Sequence, residues 1–129
     1  MSEPNIERLR ELYRQRTLEE FAESLHPDAE MHQARELPDA DDYYGREEFM
    51  RGTRRWLDGW DEFKYIVEDA IGLGERALIR VHLSGRAKAS GIELEQTVFH
   101  LWAFRDGMPW RCEVFLSEER ALEAAGSPR

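Results

Sequence analysis

The sequence IELEQTVFHLWAFRDG, residues 92–107, carries the clearest structural signal in this chain. Its apolar side chains follow an alternating period instead of a helical one, and the pair Asp106-Gly107 that ends it is a strong hairpin signal. We therefore predict a long strand over Ile92–Arg105 and a hairpin partner over Trp110–Leu116.

The residues on either side of this hairpin predict more strands and a set of helices. The further strands are about Ala29–Arg35, Lys64–Ile71 and Ala77–Lys88. Helices are predicted over Ile6–Tyr13, after the capping box that begins at Thr17, from about Arg46 to Leu57 or Trp60, and from Ser117 to Ala125. The acidic stretch 35–47 is predicted to be a long surface loop. Helices followed by consecutive antiparallel strands are typical of an α+β domain, with the helices packed on one face of a curved antiparallel sheet.

The composition limits the possible partners. The chain has 129 residues, the length of one domain over 1–129, and 18 Lys and Arg against 27 Asp and Glu give a formal net charge of −9. This balance argues against nucleic acid and anionic membrane surfaces, since both attract clustered cations. The lone cysteine, Cys112, excludes an intrachain disulfide, and no apolar run reaches the length of a membrane span. Without a secretory signal in the first residues, we expect a cytoplasmic protein.

The predicted strand Ile92–Arg105 is apolar on both faces. One face includes Val98 and Trp102, and the other includes Phe99 and Leu101. A strand of this kind is usually covered on both sides. The helices are one cover and a second subunit is the expected other, which predicts a homodimer through the sheet. The alternative is that the second set of apolar side chains is simply scattered over the surface.

His100 and Glu113 are the candidate acid/base residues. His100 lies among aromatic side chains, where the pKa of a histidine is easily shifted, although a core histidine bonded to a backbone carbonyl is the alternative. If Asp106-Gly107 forms a tight two-residue turn, counting back along the hairpin puts Glu113 opposite His100 on one face. If the hairpin contains a bulge, the register slips, so that Cys112 or Val114 faces His100 and Glu113 points the other way.

Other side chains are candidates for ligand contacts. Arg80 and His82 share one phase of their strand and could orient a polar end of a ligand, unless that face is simply solvated. Cys112 is expected to be a small buried hydrophobe. Large rings that could line a pocket for a flat apolar ligand, or fill an ordinary core, are those of Tyr13, Trp56, Trp60 and Trp102. No histidine pair has metal-ligand spacing and no glycine pattern fits a dinucleotide, so neither a metal nor a cofactor is predicted.

Several segments occur in a recognisable order: the helix Ile6–Tyr13, LHPDAEMH at 25–32, YYGREEFMRGTRRW at 43–56, HLWAFRDG at 100–107 and EVFLSEERALEAAG at 113–126. Their order and spacing resemble the SnoaL-like branch of the nuclear transport factor 2-like superfamily, over nearly the whole chain. The resemblance implies a cone-shaped sheet wrapped around N-terminal helices, an open apolar pocket and usually a dimer. Its members include polyketide cyclases, ketosteroid isomerases, epoxide hydrolases and dehydratases.

The resemblance assigns few individual roles. The position of the isomerases' general base matches Gln33, which cannot be a base and is expected only to contact a ligand. Their second oxyanion donor matches His100, and their tyrosine donor matches Leu9, with Tyr13 one turn later. The acid/base histidine and aspartate of the cyclases come closest to His100 and Glu113 here.

The predicted function is therefore the binding of a small hydrophobic molecule. Its catalytic form would be a cofactor-free isomerisation, cyclisation or dehydration beside a carbonyl, with His100 as base or oxyanion donor and Glu113 as its partner. The alternative is a non-catalytic ligand-binding or dimeric interaction domain of the same fold.

Overall fold

The computed structural model describes residues 3–38 and 40–126. Within them lie four helices: α1 Glu3–Tyr13, α2 Leu18–Ser24, α3 Arg46–Leu57 and α4 Glu118–Gly126. The six strands are β1 Glu30–His32, β2 Asp42–Tyr44, β3 Trp60–Leu73, β4 Arg76–Ala87, β5 Glu93–Arg105 and β6 Met108–Phe115. The predicted α+β class is confirmed. No helix in this described part of the chain combines the length and the apolar character that a membrane crossing needs.

All six strands form one open sheet in the order β2-β1-β6-β5-β4-β3. The neighbours from β3 to β6 are antiparallel, but β1 runs parallel to β6. The sheet is therefore mixed and not purely antiparallel as predicted, because β1 joins the last strand from across the chain instead of through a hairpin. On the outermost strand β3, the register against β4 shifts between Asp61 and Lys64 and again between Val67 and Asp69.

The stretch 35–47, predicted to be a surface loop, contains the short strand β2. Met31 of β1 lies opposite Tyr43 of β2, and the side chain of Tyr43 is buried. Asp42 pairs with His32 at 3.1 Å and also with Arg35. The strand was missed because it has three residues in an acidic stretch, and its charges are neutralised only by contacts made in the folded chain.

The two faces of the sheet bury different cores. On the inner face, α1, α2 and α3 cover a large core that includes Ile79, Val81, Val98 and Trp102. On the outer face, α4 covers a smaller core formed by Leu78, Phe99, Leu101 and Ala121. The outer apolar residues of β5 that suggested a second subunit are thus buried against a helix of the same chain.

The hairpin between β5 and β6 has one extra residue. Arg105 lies opposite Met108, as a tight turn requires, but Ala103 lies opposite Arg111, which leaves Trp110 as an extra residue on β6. The guanidinium of Arg105 lies 3.8 Å from the centroid of the Trp110 ring, so a cation–π contact holds the side chain of this extra residue. Of the two registers left open by the sequence, the slipped one is therefore present.

Gly52 in α3 allows close packing against β2. A Cβ atom at this position would lie 2.8 Å from ring carbons of the buried Tyr43. Alanine normally favours a helix over glycine by about 1 kcal/mol. Here we expect Gly52→Ala to lower the free energy of unfolding by roughly 1–3 kcal/mol, because the buried Tyr43 ring must shift from its packed position to admit the methyl group.

Urea denaturation measures this change. Gly59→Ala is the matched control, since a Cβ there meets only the Trp56 carbonyl oxygen at an ordinary 3.6 Å. We expect the control to change stability by less than about 0.5 kcal/mol. A Gly52→Ala variant as stable as the wild type would contradict the close approach of α3 and β2.

Candidate functional site

A cavity of about 430 Å³ lies between the inner face of the sheet and helices α1, α2 and α3. This volume is within the range of about 300–1,000 Å³ that is usual for small-molecule sites. Apolar side chains form most of its wall, among them Leu12 of α1, Phe21 of α2, Phe49 of α3 and Val98 of β5. The cavity therefore suits a molecule that is itself mostly apolar.

Three side chains form a hydrogen-bonded chain in the cavity wall. Trp102 Nε1 donates to Tyr13 Oη at 2.9 Å, and the same oxygen lies 2.5 Å from Nδ1 of His100. His100 and Trp102 are two residues apart on β5, so both side chains point to the inner face. Tyr13 is the last residue of α1, and its ring stacks on His100 with centroids 5.9 Å apart.

The donors and acceptors fix the direction of this chain. An indole N–H can only donate, so the Tyr13 oxygen accepts from Trp102. Among the described residues, Nδ1 of His100 is the one acceptor within reach of the Tyr13 hydroxyl hydrogen, which assigns that hydrogen to it. Nδ1 of His100 then accepts that hydrogen bond, and the ring carries its own proton on Nε2. Nε2 has no hydrogen-bond partner among the described residues. His100 thus offers a free N–H donor to a molecule in the cavity.

Burial keeps His100, Tyr13 and Cys112 uncharged. Desolvation lowers the pKa of His100 from its ordinary 6.5 to about 4. Burial raises the pKa of Tyr13 well above its usual value, and the nearby Cys112 adds to the rise, whereas the hydrogen bond from Trp102 opposes it. Burial and the neighbouring Glu113 raise the pKa of the Cys112 thiol, so Cys112 lacks the thiolate character of a nucleophile.

Part of the wall is aromatic. Trp56 of α3 and Phe63 of β3 meet edge to face with ring centroids 5.9 Å apart, and Trp60 lies against both. Tyr65 packs edge to face on Phe63 at 4.9 Å, and its hydroxyl makes no hydrogen bond to a described residue. Ring faces and edges in this arrangement can pack against a flat ligand.

The described residues that line the cavity include no Asp or Glu. Their titratable members are Tyr13, Arg16, Tyr65, His100 and Cys112. The described ranges also contain no group of three or more His, Cys, Asp and Glu side chains that could hold a metal ion. The chemistry of this wall is therefore that of hydrogen-bond donors and rings.

Sequence comparison adds the family. A family model described as a SnoaL-like domain matches residues 6–111. The chain belongs to the SnoaL-like family. No curated protein matches the sequence of this SnoaL-like chain.

Solved structures share the fold of this SnoaL-like protein. A candidate SnoaL-like polyketide cyclase from Jannaschia sp. CCS1 has a TM-score of 0.77 at 16% identity, over 98% of this chain and 94% of that one. TerC, co-crystallised with polyporic acid, has a TM-score of 0.75 at 20% identity, over 96% and 99%. A protein with a ketosteroid isomerase-like fold from Catenulispora acidiphila DSM 44928, in complex with trimethylamine, has a TM-score of 0.69 at 14% identity, over 90% and 87%. At these identities the likeness shows the fold.

Six of the predicted site residues line the SnoaL-like cavity: Tyr13, Gln33, Trp56, His100, Trp102 and Cys112. The Oε1 atom of Gln33 accepts the backbone N–H of Asp41 at 3.0 Å, which leaves its amide N–H groups for a ligand. Trp60 is not a lining residue. Its ring packs against that of the lining residue Trp56, with centroids 5.3 Å apart.

The expectation that Arg80 and His82 line this cavity is wrong. Ile79, not Arg80, lies opposite His100 on the inner face, so the residues of the other phase of β4 face outward. There Arg80 lies 3.5 Å from Glu68, on the outer face of the sheet. The alternation within each strand does not show whether His82 and His100 share a face, because that depends on the register between β4 and β5.

The predicted pair of His100 and Glu113 is not formed. Because of the extra residue in β6, Val114 lies opposite His100, and Glu113 lies opposite Leu101 on the outer face. The Glu113 carboxylate lies 3.8 Å from Arg111, and 22% of its side chain is exposed. Its remaining influence on the site is the rise that it adds to the pKa of Cys112.

The polar lining residues that sequence patterns did not identify include Arg16, Tyr65 and Gln96. Gln96 shares the phase of His100 on β5, so the alternation of that strand could have found it. Tyr65 lies opposite Leu83, which belongs to the inner core, and its phase became clear only with the register of β3. Arg16 belongs to the linker between α1 and α2, where periodicity gives no direction.

The neutral state of His100 makes the stability of the fold depend on pH. Its pKa is about 4 in the folded chain and about 6.5 when unfolded, so between these values the unfolded state binds more protons. The stability that neutral His100 provides is complete above the unfolded pKa and is lost as the pH falls toward 4. We expect a loss of roughly 2 kcal/mol between about pH 7 and pH 4.5.

Urea denaturation at these two pH values measures the loss. His100→Gln is the comparison, because its amide oxygen can accept the Tyr13 hydroxyl hydrogen but does not titrate. Between the two pH values, the variant should lose about 2 kcal/mol less of its free energy of unfolding than the wild type loses. Equal losses in both proteins would contradict a desolvated, neutral His100.

Proposed function

We propose that this protein binds a small, mostly apolar molecule in the cavity and holds one oxygen atom of it through Nε2 of His100. The observation that carries the proposal is the chain from Trp102 through Tyr13 to His100, which ends in an unpartnered N–H donor within an apolar wall. A carbonyl oxygen is the acceptor that suits this donor, because it adds one polar atom to an otherwise apolar molecule.

The neutral charge of the donor favours such a ligand. A cationic imidazolium would lose its hydration when the cavity fills, whereas a neutral imidazole loses little. In surroundings of low polarity, its single N–H forms a stronger hydrogen bond than it would in water. A neutral histidine donor can also polarise a carbonyl group, as other enzymes demonstrate.

Catalysis beside the carbonyl is the finer proposal. His100 would stabilise the negative charge that develops on the ligand oxygen during a cofactor-free isomerisation, cyclisation or dehydration. The described lining has no carboxylate to remove a proton, so proton transfer would fall to His100 or to the ligand's own groups. We therefore place ligand binding first, and catalysis second.

The comparisons support a ligand in a cavity of this kind. TerC was co-crystallised with polyporic acid, and the Catenulispora acidiphila structure is a complex with trimethylamine. The Jannaschia protein is a candidate polyketide cyclase. Each of these descriptions applies to that protein, and the shared fold supports the same kind of use here.

We also propose that residues 1–129 act as one cytoplasmic domain that pairs with a second copy through the outer face of the sheet. Beyond the part that α4 covers, Ile66 of β3 remains 51% exposed on that face. Arg80 and Glu68 lie beside it as opposite charges that a two-fold axis could bring into contact with the second copy.

The oxygen contact is tested with two probes of nearly equal shape, 2-acetylnaphthalene and 2-ethylnaphthalene, of which only the first has a carbonyl. Titration calorimetry should show that His100→Phe weakens the ketone about fivefold and leaves the hydrocarbon unchanged, since one neutral hydrogen bond contributes about 1 kcal/mol. Glu113→Gln is the control, because Glu113 lies on the outer face, and both affinities should stay at the wild-type level. A His100→Phe variant that binds both probes like the wild type would rule out the proposed contact.

The second copy is tested by sedimentation equilibrium. The wild type should have twice the chain mass of 15.2 kDa, and Ile66→Lys should shift it toward the monomer, because the lysine ammonium would be buried between copies. Ile92→Lys is the matched control, since Ile92 is 68% exposed at the turn before β5. A monomeric wild type, or equal effects of both variants, would contradict pairing through this face.

A further inference from the structure

One lining residue of the cavity carries a full charge. Among the described residues that line it, Arg16 is the only Lys, Arg, Asp or Glu side chain. Arg16 is exposed to solvent and yet lines the cavity, which places it at the rim of the opening. The rim of this cavity therefore presents a positively charged side chain, although the chain as a whole has a net charge of −9.

The backbone of Arg16 is held in place by the capping box of α2. Thr17 Oγ1 accepts the backbone N–H of Glu20 at 3.0 Å, and Glu20 Oε1 accepts the backbone N–H of Arg16 at 3.3 Å. These reciprocal bonds fix the chain at the start of the helix. One oxygen of the Glu20 carboxylate is thus bonded to the backbone, and Glu20 forms no ion pair with the Arg16 guanidinium.

Within the described ranges, the guanidinium of Arg16 forms neither an ion pair nor a hydrogen bond. Some other exposed arginines pair with carboxylates, as Arg14 does with Glu11 at 3.5 Å and Arg86 with Glu62 at 2.7 Å. Arg54 and Arg55 of α3 are also exposed and form no ion pair with a described residue, but they do not line this cavity. In a chain with more acidic than basic residues, an unpaired arginine at a cavity rim is free to bind an anion from outside the protein.

We infer that the ligand is an amphipathic acid whose carboxylate binds Arg16 at the rim while its apolar body fills the cavity. The inference rests on the proposed function and names the class of ligand. A guanidinium matches a carboxylate through two parallel N–H donors, which selects an acid over a neutral compound of the same shape. The guanidinium also gives such an anion a point of attraction at the opening of a protein whose net charge is negative.

The expected size of the effect follows from the exposure of Arg16. A buried pair would change affinity by orders of magnitude, but solvent and salt screen a charge at the rim. We expect the loss of Arg16 to weaken an anionic ligand about fivefold at low salt. The contribution should nearly vanish at about 1 M salt, where the Debye length is about 3 Å.

The test uses two probes that differ in charge, 2-naphthoate and methyl 2-naphthoate. Each is titrated by calorimetry into the full-length wild type, Arg16→Gln and Arg14→Gln, at low and high salt. Arg14→Gln removes the same charge from an exposed neighbour that does not line the cavity. Thermal unfolding of each variant confirms that it is folded, as expected for exposed positions.

Support for the inference is a fivefold loss of naphthoate affinity in Arg16→Gln at low salt, with the ester unchanged and Arg14→Gln like the wild type. Equal naphthoate affinity in the wild type and Arg16→Gln overturns the inference, and so does an equal loss of affinity for the acid and the ester. In either case, binding of the ester by the wild type still supports the proposed ligand cavity. If neither probe binds the wild type, the proposed function fails and the inference fails with it.

Discussion

The register between β5 and β6 determines what the cavity can do. One extra residue, Trp110, lies near the start of β6, and every residue after it is shifted by one position against β5. Because strand side chains alternate between faces, the shift brings Val114 and Cys112 to the inner face and sends Glu113 outward. The same strand pair would otherwise have placed a carboxylate beside His100 and produced an acid/base couple.

With the carboxylate outside, the polar groups beside β5 are three neutral side chains, Trp102, Tyr13 and His100, linked by hydrogen bonds. Trp102 donates to Tyr13 and Tyr13 donates to His100, so among these three side chains Nε2 of His100 is the donor that remains without a partner. The two hydrogen bonds pair the Trp102 N–H and the Tyr13 hydroxyl, which avoids the cost of burying these groups unpaired. The acidic residues that give the chain its charge lie elsewhere, and the full charge among the described lining residues is the cation of Arg16 at the rim.

The general architecture could be predicted from the sequence because it depends on local signals. Alternation along residues 92–116, the Asp106-Gly107 turn and the capping box at Thr17 each act over a few residues, and they indicated β5, β6 and the start of α2. The inward direction of His100 and Trp102 followed from the same alternation.

Long-range pairing could not be predicted in this way. The outward direction of Arg80 depends on the β4 register against β5, and β2 depends on contacts with β1 and α3. Both depend on how one element packs against another, which the alternation within a single strand does not determine. Arg16 was missed for a related reason, since only the folded arrangement of α1 and α2 brings their linker to the cavity.

The irregular pairing of β3 has a consequence for solubility. This strand is 14 residues long and forms an edge of the open sheet, where unpaired backbone groups could template strand addition by another molecule. The two register shifts interrupt that row of donors and acceptors, and the positive φ of Glu62 bends the strand at the first of them. Lys64 and Asp69 lie along the same strand, and their charges would have to be buried, or would repel like charges, if another strand paired with this edge. These features protect the edge against aggregation, so the sheet can stay open around the cavity without pairing with a strand of another molecule.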